Sequence, residues 1–152
     1  MTMHIMVDET VLMEFVGERR ESLVCWNKLN AMQLVGYAEL WATPDAYRLM
    51  EQEMSEQLPN EAVRRALGDT LSYIEICSVD ANVVRLALSY GGTYEEGVLD
   101  ACVRKVKVDY VVTRKKLPPL RSKVPVFTSK TSRSPRSPSA SAPLATSIRA
   151  PP

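Results

Sequence analysis

Residues 4–15 read His-Ile-Met-Val-Asp-Glu-Thr-Val-Leu-Met-Glu-Phe, and this stretch predicts the fold. The apolar run at residues 5–7 is short, does not alternate with polar residues and ends at an acid. Such a run is typical of a strand buried on both faces, as in a parallel sheet. Asp8 then stands at the carboxyl end of the strand, which is the edge where open α/β sheets bind ligands.

The residues after Asp8 predict a helix, because apolar side chains recur there at helical spacing. These side chains are Val11, Leu12, Phe15 and Val16. Asp8 or Thr10 could serve only to cap this helix, since both residue types are favoured N-caps. A chemical role at the strand end is the other interpretation, and this stretch alone leaves both open.

The charge of the chain is divided unevenly along its length. It has 152 residues with 19 Lys plus Arg and 18 Asp plus Glu, a formal net charge of +1. Residues 129–152 hold four of the basic residues and no acid, so residues 1–128 carry 15 basic and 18 acidic residues. An acidic body of this kind is not a general nucleic-acid binder. We therefore expect any contact with nucleic acid to use a local basic patch or a metal.

The three cysteines, Cys25, Cys77 and Cys102, are widely spaced and form no CxxC pattern. Neither a disulfide framework nor a zinc site is indicated. Cys25 and Cys77 have apolar neighbours and are predicted to be buried thiols in a reducing compartment. The sequence has no apolar run of transmembrane length and no signal peptide at its beginning. We expect a cytoplasmic protein without a membrane partner.

The order of predicted elements is β-α-β-α-α-β-α-α-β-β. Strands are predicted at 5–7, 34–38, 71–79, 106–113 and 124–127. Helices are predicted at 10–16, 18–33, 44–58, 61–67, 81–88 and 94–106. Gly68 closes the fourth helix, and Thr43, Asp80 and Thr93 are the N-caps of the third, fifth and sixth. This alternation predicts a three-layer α/β/α sandwich with a mostly parallel central sheet, and Pro125 places the last strand at a sheet edge.

The amino-acid composition divides the chain into two regions. Residues 1–128 are long enough for one domain with its own core. Residues 129–152 are rich in Ser, Pro and Arg, which predicts a disordered tail.

Acidic residues follow strands or open helices at several places, and in a parallel sheet such positions meet at one edge. Asp8, Asp45 and Glu96 have this placement, and Asp100 shares a helix face with Glu96. Asp45 and Glu96 could also be ordinary partners of a helix dipole. If the carboxylates converge, they suit Mg²⁺ or Mn²⁺, which prefer oxygen ligands. A metal held in this way can activate water and clamp a phosphodiester.

Five motifs, in order between residues 3 and 128, together resemble the PIN domain, the nuclease fold of many bacterial toxin–antitoxin ribonucleases. They are Met-Val-Asp-Glu-Thr-Val-Leu at 6–12, Gly-Tyr at 36–37 through Asp45 to Leu49, Tyr-Glu-Glu at 94–96 through Ala101, Asp-Tyr-Val-Val-Thr-Arg at 109–114, and Val-Pro-Val-Phe-Thr at 124–128. The resemblance covers the predicted domain and excludes the tail.

The resemblance implies a Mg²⁺- or Mn²⁺-dependent endoribonuclease, a hydrolase that acts as the toxin of a toxin–antitoxin pair. RNA would be its substrate, and its protein partners would be an antitoxin and a second copy of the chain. Asp8, Asp45 and Glu96 would be the catalytic metal ligands, with Asp100 as a further carboxylate. Thr10 matches the small polar position beside the metal-bound water. Arg114 matches the Arg after the fourth strand and would meet phosphate, together with Lys115 and Lys116.

Three departures from the family pattern keep an alternative function open. Glu9 replaces a small residue, Glu96 replaces the more common Asp, and Lys115-Lys116 stands where the family often adds Asp or Asn. The alternative is a degenerate PIN-like module that binds RNA or a protein partner without cleaving. In a third interpretation, the chain is an unrelated α/β domain whose acids are only caps and dipole partners.

Overall fold

The computed structural model describes residues 1–16 and 23–128, without the side chains of residues 23 and 24. The strands are β1 (Met3–Val7), β2 (Ala38–Ala42), β3 (Glu75–Ile76), β4 (Tyr110–Thr113) and β5 (Val126–Thr128). The helices are α1 (Glu9–Val16), α2 (Leu23–Leu34), α3 (Pro44–Met54), α4 (Asn60–Thr70), α5 (Ala81–Ser89) and α6 (Tyr94–Lys105). The predicted tail at 129–152 lies outside the described residues.

The five strands form one sheet in the order β3-β2-β1-β4-β5, and every neighbouring pair is parallel. The predicted α/β class and parallel sheet are therefore confirmed. β1 lies at the centre, because its run at residues 5–7 is apolar on both faces. Ile5 and Val7 point into one core, and Met6 points into the other. As predicted, β5 is an edge strand, and it directly follows Pro125.

The two cores lie on opposite faces of the sheet and complete the three layers. Helices α1 to α4 cover the face of Ile5 and Val7, with Leu12, Trp26 and Met50 among the buried side chains. Helices α5 and α6 cover the face of Met6. The sheet is therefore buried on both sides, as its apolar central strand requires.

The second strand begins four residues later than predicted. Helix α2 continues to Leu34, and Gly36 then adopts a left-handed conformation with φ of 82°. The N–H of Tyr37 donates to the carbonyl of Met32 at 2.8 Å, which is the bond that closes a Schellman motif. The apolar residues that suggested a strand therefore form a helix end, and β2 starts at Ala38.

Several other boundaries also differ from the prediction. Helix α4 runs through Gly68 instead of closing there, and α3 ends at Met54 rather than at 58. The third strand is reduced to Glu75–Ile76, because residues 71–73 form a turn after α4. The fourth strand begins at Tyr110, because Lys107 adopts a left-handed conformation with φ of 55°. Residues 18–22 of the predicted second helix lie outside the described residues.

The predicted helix caps are present. Thr43 accepts from the N–H of Ala46 at 3.3 Å, and Asp80 accepts from the N–H of Val83 at 3.0 Å. Thr93 and Glu96 form a reciprocal capping box at the start of α6. These caps fix the starts of the helices that border the sheet edge.

None of the three cysteines forms a disulfide. Cys77 and Cys102 are buried, whereas Cys25 is only partly buried, so the prediction for Cys25 was wrong in degree. Within residues 1–16 and 23–128, no helix has the length and apolar character needed to cross a membrane.

Gly97 is required by the close packing of α5 against α6. A Cβ atom at this position would lie 2.5 Å from the carbonyl oxygen of Ala87, which is backbone and cannot rotate away. Gly68, in the middle of α4, offers the contrast, because a Cβ there would meet nothing within 4 Å. The two glycines share a helical backbone but differ in the space beside them.

We expect Gly97→Ala to lower the free energy of unfolding by about 1–3 kcal/mol, because the two helices must move apart. Gly68→Ala should instead raise it by about 0.5–1 kcal/mol, through the higher helix propensity of Ala. Urea denaturation of both variants measures this difference. A stabilised Gly97→Ala variant would show that the two helices are not in such close contact.

Candidate active site at the carboxyl edge of the sheet

A cavity of about 280 Å³ opens at the carboxyl ends of the parallel strands. It is bordered by the residues that follow β1, β2 and β4 and by the first turns of α3 and α6. Among the residues that line it are three of the predicted site acids, Asp8, Asp45 and Glu96, and two lysines, Lys115 and Lys116. The fold therefore brings these residues to one edge, although they are far apart in sequence.

Asp8 is buried, and both of its carboxylate oxygens are held by threonine hydroxyls. Thr10 donates to Oδ1 from its hydroxyl at 2.5 Å and from its backbone N–H at 3.0 Å. Thr113 donates to Oδ2 at 2.5 Å. The backbone N–H groups of Arg114 and Lys115 in turn donate to the hydroxyl oxygens of Thr10 and Thr113, which directs both hydroxyl protons toward Asp8. This arrangement fixes the orientation of the carboxylate.

Burial raises the pKa of Asp8 above its ordinary value. The hydrogen bonds from Thr10 and Thr113 act in the opposite direction, and the nearby charge of Glu9 adds to the increase. A desolvated carboxylate of this kind gains from a cation placed beside it. Thus the Asp8 carboxylate has a fixed orientation, and a cation beside it would stabilise its charged form.

Asp45 and Glu96 stand in the first turns of α3 and α6. Glu96 is engaged by its own helix, since its Oε1 accepts from the N–H of Thr93 at 3.2 Å. For Asp45, no hydrogen bond or ion pair to another described residue is present. Asp45 is therefore available to a ligand, whereas Glu96 has one of its two carboxylate oxygens engaged in the capping box.

Asp100 does not line this cavity, although the sequence placed it with the other acids. Its carboxylate is buried and accepts from the backbone N–H groups of Arg121 at 2.5 Å and Ser122 at 3.2 Å. It lines a neighbouring cavity that shares Glu96 with the first. The observed contacts of Asp100 are with the loop between β4 and β5.

The three cations after β4 point in different directions. Lys115 and Lys116 line the cavity, and Lys115 forms an ion pair with Glu9 at 2.7 Å. Burial would lower the pKa of Lys115, but the bond to Glu9 and the charges of the nearby acids raise it. Arg114 does not line the cavity, and its Nε lies 3.5 Å from Oε2 of Glu14. Of the three, Lys115 and Lys116 therefore border the cavity, and Arg114 does not.

Glu14 and Thr113 are functional neighbours that the sequence analysis did not identify. Glu14 is 1% exposed and accepts from the backbone N–H of Trp26 at 3.1 Å. Burial raises the pKa of Glu14 to about 7, despite this hydrogen bond and the charge of Arg114. The register of β1 with β4 pairs Val7 with Val112, so the next position along each chain, Asp8 and Thr113, was a signal available from a correct strand alignment.

The carboxylates fit a hydrated divalent cation better than a fully protein-ligated one. Within the described ranges, no group of three or more His, Cys, Asp or Glu side chains is arranged to hold a metal ion. Mg²⁺, however, usually keeps several waters and is bound by one or two carboxylates together with substrate phosphate. Oxygen donors from Asp8 and Asp45 meet that requirement. The cavity also has room for coordinated water, which occupies about 30 Å³ per molecule.

Comparison with solved structures identifies the fold. The chain is similar to VapBC2 from Rickettsia felis, solved bound to a DNA fragment from its promoter, with a TM-score of 0.57 and 12% sequence identity over 74% of this chain and 88% of that chain. It is also similar to the Mycobacterium tuberculosis toxin VapC20, which cleaves the sarcin–ricin loop, with a TM-score of 0.52 and 11% identity over 70% and 86% of the two chains.

Both relatives are PIN-domain toxins, so the predicted PIN-like fold is confirmed. No known protein-family profile matches the sequence, and no curated protein matches it. At 11–12% identity, the likeness concerns the fold, and the activity of this chain has to be argued from its own site.

We expect stability to fall as the pH rises through the range between the ordinary and the raised pKa of Glu14. The folded protein holds the proton of Glu14 up to a pKa of about 7, whereas the unfolded chain loses it near 4.5. Folding therefore favours the protonated form, and the stabilisation present below pH 4.5 is lost by about pH 7. The loss is on the order of 2–3 kcal/mol.

Denaturation of wild type and Glu14→Gln across this pH range measures the effect. The variant should lose less stability than wild type, because Gln keeps an acceptor for Trp26 but does not ionise. Glu56→Gln, at an exposed position on the surface, is the matched control and should follow wild type. Parallel curves for wild type and Glu14→Gln would contradict the raised pKa.

Proposed function

We propose that this PIN-fold chain is a divalent-metal-dependent endoribonuclease of the toxin type, with Asp8 and Asp45 as metal ligands and Glu96 joining them through a change of side-chain rotamer. The observation that carries the proposal is the Asp8 carboxylate, which is buried, oriented by two threonine hydroxyls and set in a cavity with two further acids. Two lysines line the same cavity. Acids that bind a metal beside bases that attract phosphate suit the hydrolysis of a phosphodiester.

Each residue of the cavity has a defined task in this proposal. A bound Mg²⁺ or Mn²⁺ would offset the negative charge of the phosphodiester and lower the pKa of a coordinated water. Thr10 and Thr113 hold Asp8 in one orientation, so that no reorganisation of this carboxylate is needed when charge develops. Lys116 and Lys115 attract the phosphate, and Lys115 can exchange its ion pair with Glu9 for this contact.

The likeness to VapBC2 supports an antitoxin protein as partner, because that structure is a complex of toxin and antitoxin bound to DNA. The likeness to VapC20, a toxin that cleaves the sarcin–ricin loop, supports RNA as the substrate. We also propose that two copies of the chain form a homodimer and that the protein is located in the cytoplasm. The supporting feature in the chain itself is the pair Lys115 and Lys116, which give the cavity a local basic site for RNA.

A non-catalytic RNA- or protein-binding module is the second candidate. The observation that favours it is Glu96, which is held by its own helix, in a cavity where no three acidic side chains of the described residues gather around one point. In that case Lys115 and Lys116 would contact phosphate without hydrolysis. Metal binding and cleavage distinguish the two candidates.

We expect purified protein to cleave a pool of structured RNA in the presence of Mg²⁺ or Mn²⁺, and EDTA to stop the reaction. Asp8→Asn should reduce the rate of cleavage by at least about 100-fold, because it removes the carboxylate charge that the hydroxyls of Thr10 and Thr113 hold in one orientation. Gel analysis of the pool with time measures both effects. Asp69→Asn, an exposed acid on α4, is the control and should cleave as wild type does.

The nuclease proposal is contradicted if Asp8→Asn cleaves at the wild-type rate, since the activity then belongs to another site or to a contaminant. It is also contradicted if folded wild type neither cleaves RNA nor binds Mn²⁺. That second result would favour the non-catalytic module.

Titration calorimetry with Mn²⁺ tests the ligand set without relying on activity. Asp45→Asn and Glu96→Gln should each raise the dissociation constant about 10-fold or more, because each removes a charged oxygen donor. Asp100→Asn is the informative comparison, since this carboxylate binds the backbone of another loop and should leave Mn²⁺ affinity unchanged. A loss of affinity confined to Asp100→Asn would move the metal to the neighbouring cavity.

A further inference from the structure

The second cavity, of about 300 Å³, adjoins the candidate active site and is of a different character. The two cavities share Glu96, and one loop lines both of them. The first part of this loop, 115–117, borders the candidate active site, and the second part, 118–121, borders the neighbouring cavity. The two cavities are therefore adjacent along this loop.

The Tyr90 ring lines the second cavity and has two guanidinium groups within cation–π distance. Cζ of Arg121 lies 5.5 Å from the centroid of the Tyr90 ring, and Cζ of Arg104 lies 6.0 Å from it. Both arginines are exposed, and within residues 1–16 and 23–128 no carboxylate forms an ion pair with either. The positive charge at Tyr90 is therefore open to a ligand from solution.

The position of Arg121 is fixed by a buried group. The Asp100 carboxylate, 4% exposed, accepts from the N–H groups of Arg121 and Ser122 and so holds this part of the loop against α6. Gly91 and Gly92 also line this cavity, and a Cβ atom at Gly92 would lie 2.6 Å from Oε1 of Glu96. The backbone that carries Arg121 is therefore anchored at the edge of this cavity.

We infer that Tyr90, Arg104 and Arg121 form a binding site for a nucleotide of the RNA strand that flanks the cleaved phosphodiester. An aromatic ring for base stacking and nearby cations for the backbone phosphate are the two components of single-stranded nucleic-acid sites. The inference rests on the proposed function, because that function places the cleaved phosphodiester of the RNA strand in the first cavity. The adjacency of the two cavities along loop 115–121 lets one strand occupy both.

The charge contribution is tested by RNA binding under conditions that prevent cleavage. Fluorescence anisotropy with a labelled random-sequence single-stranded RNA, in EDTA, compares wild type with Arg104→Gln/Arg121→Gln. We expect the dissociation constant to rise about 10-fold at about 50 mM salt. The slope of its logarithm against log salt should fall by about 1.4, which is about 0.7 for each phosphate that the variant no longer neutralises.

The matched control is Arg64→Gln/Arg65→Gln, which removes the same charge from the exposed surface of α4, on the other side of the sheet. This control should retain the affinity and salt slope of wild type. Equal losses of RNA affinity in the two double variants would show that net charge alone causes the effect. That result would overturn the inference.

Stacking is tested at Tyr90 with two substitutions. The Tyr90 hydroxyl is buried and has no hydrogen-bond partner in the described part of the chain, so Tyr90→Phe removes no bond and should bind RNA as wild type does. Tyr90→Leu should weaken binding by about 5- to 150-fold, the range for loss of one base–aromatic stack. Equal affinity of a folded Tyr90→Leu variant would overturn the stacking role, and thermal unfolding verifies that both variants fold.

The outcomes separate this inference from the proposed function. If wild type cleaves RNA and the Arg104→Gln/Arg121→Gln variant binds and cleaves as wild type does, the nuclease proposal stands and the flanking site is wrong. If wild type binds RNA without cleaving it, and the variant loses affinity, the flanking site stands and the nuclease proposal is wrong. If wild type binds no RNA, the flanking site is overturned.

Discussion

The hydrogen bonds that hold the Asp8 carboxylate are the constraint on which the rest of the sheet edge depends. Both hydroxyl donors, Thr10 and Thr113, lie at the ends of elements that meet only because β1 and β4 are parallel neighbours. A buried carboxylate without such partners would be destabilising, since burial disfavours its charged form. The parallel pairing of these strands therefore allows a charged group to stand at the centre of the edge.

At the same edge, some charged side chains contact other parts of the fold, whereas others line the cavity. Glu14 and Arg114 face each other next to the core, and Asp100 holds the loop between β4 and β5 through backbone N–H groups. Asp8 and Asp45, by contrast, line an open cavity beside lysines. Glu14 and Asp100 therefore stabilise the fold, whereas the carboxylates that line the cavity would attract a cation.

Much of this arrangement follows from local sequence patterns. The apolar run at 5–7 predicted the central strand, and Thr43 and Thr93 predicted the helix starts that bring Asp45 and Glu96 to the sheet edge. The pattern failed at Gly36, where an apolar stretch closes a helix, because a Schellman motif and a strand both use apolar residues. Gly97 in α6 is explained by the nearby Ala87 carbonyl of α5, which leaves no space for a Cβ atom. Contacts between distant elements, such as those of Thr113 and Glu14, depend on register and could not be read from composition.

The central claim is that the Asp8 cavity binds a divalent cation, and X-ray diffraction from crystals grown with Mn²⁺ tests it most directly. Anomalous scattering locates Mn²⁺ independently of activity and of any RNA substrate. The account predicts an anomalous peak in this cavity, with an Asp8 carboxylate oxygen about 2.0–2.2 Å from the ion and water among its remaining ligands. No peak in the cavity at a saturating Mn²⁺ concentration, or a peak only at Asp100, would contradict it.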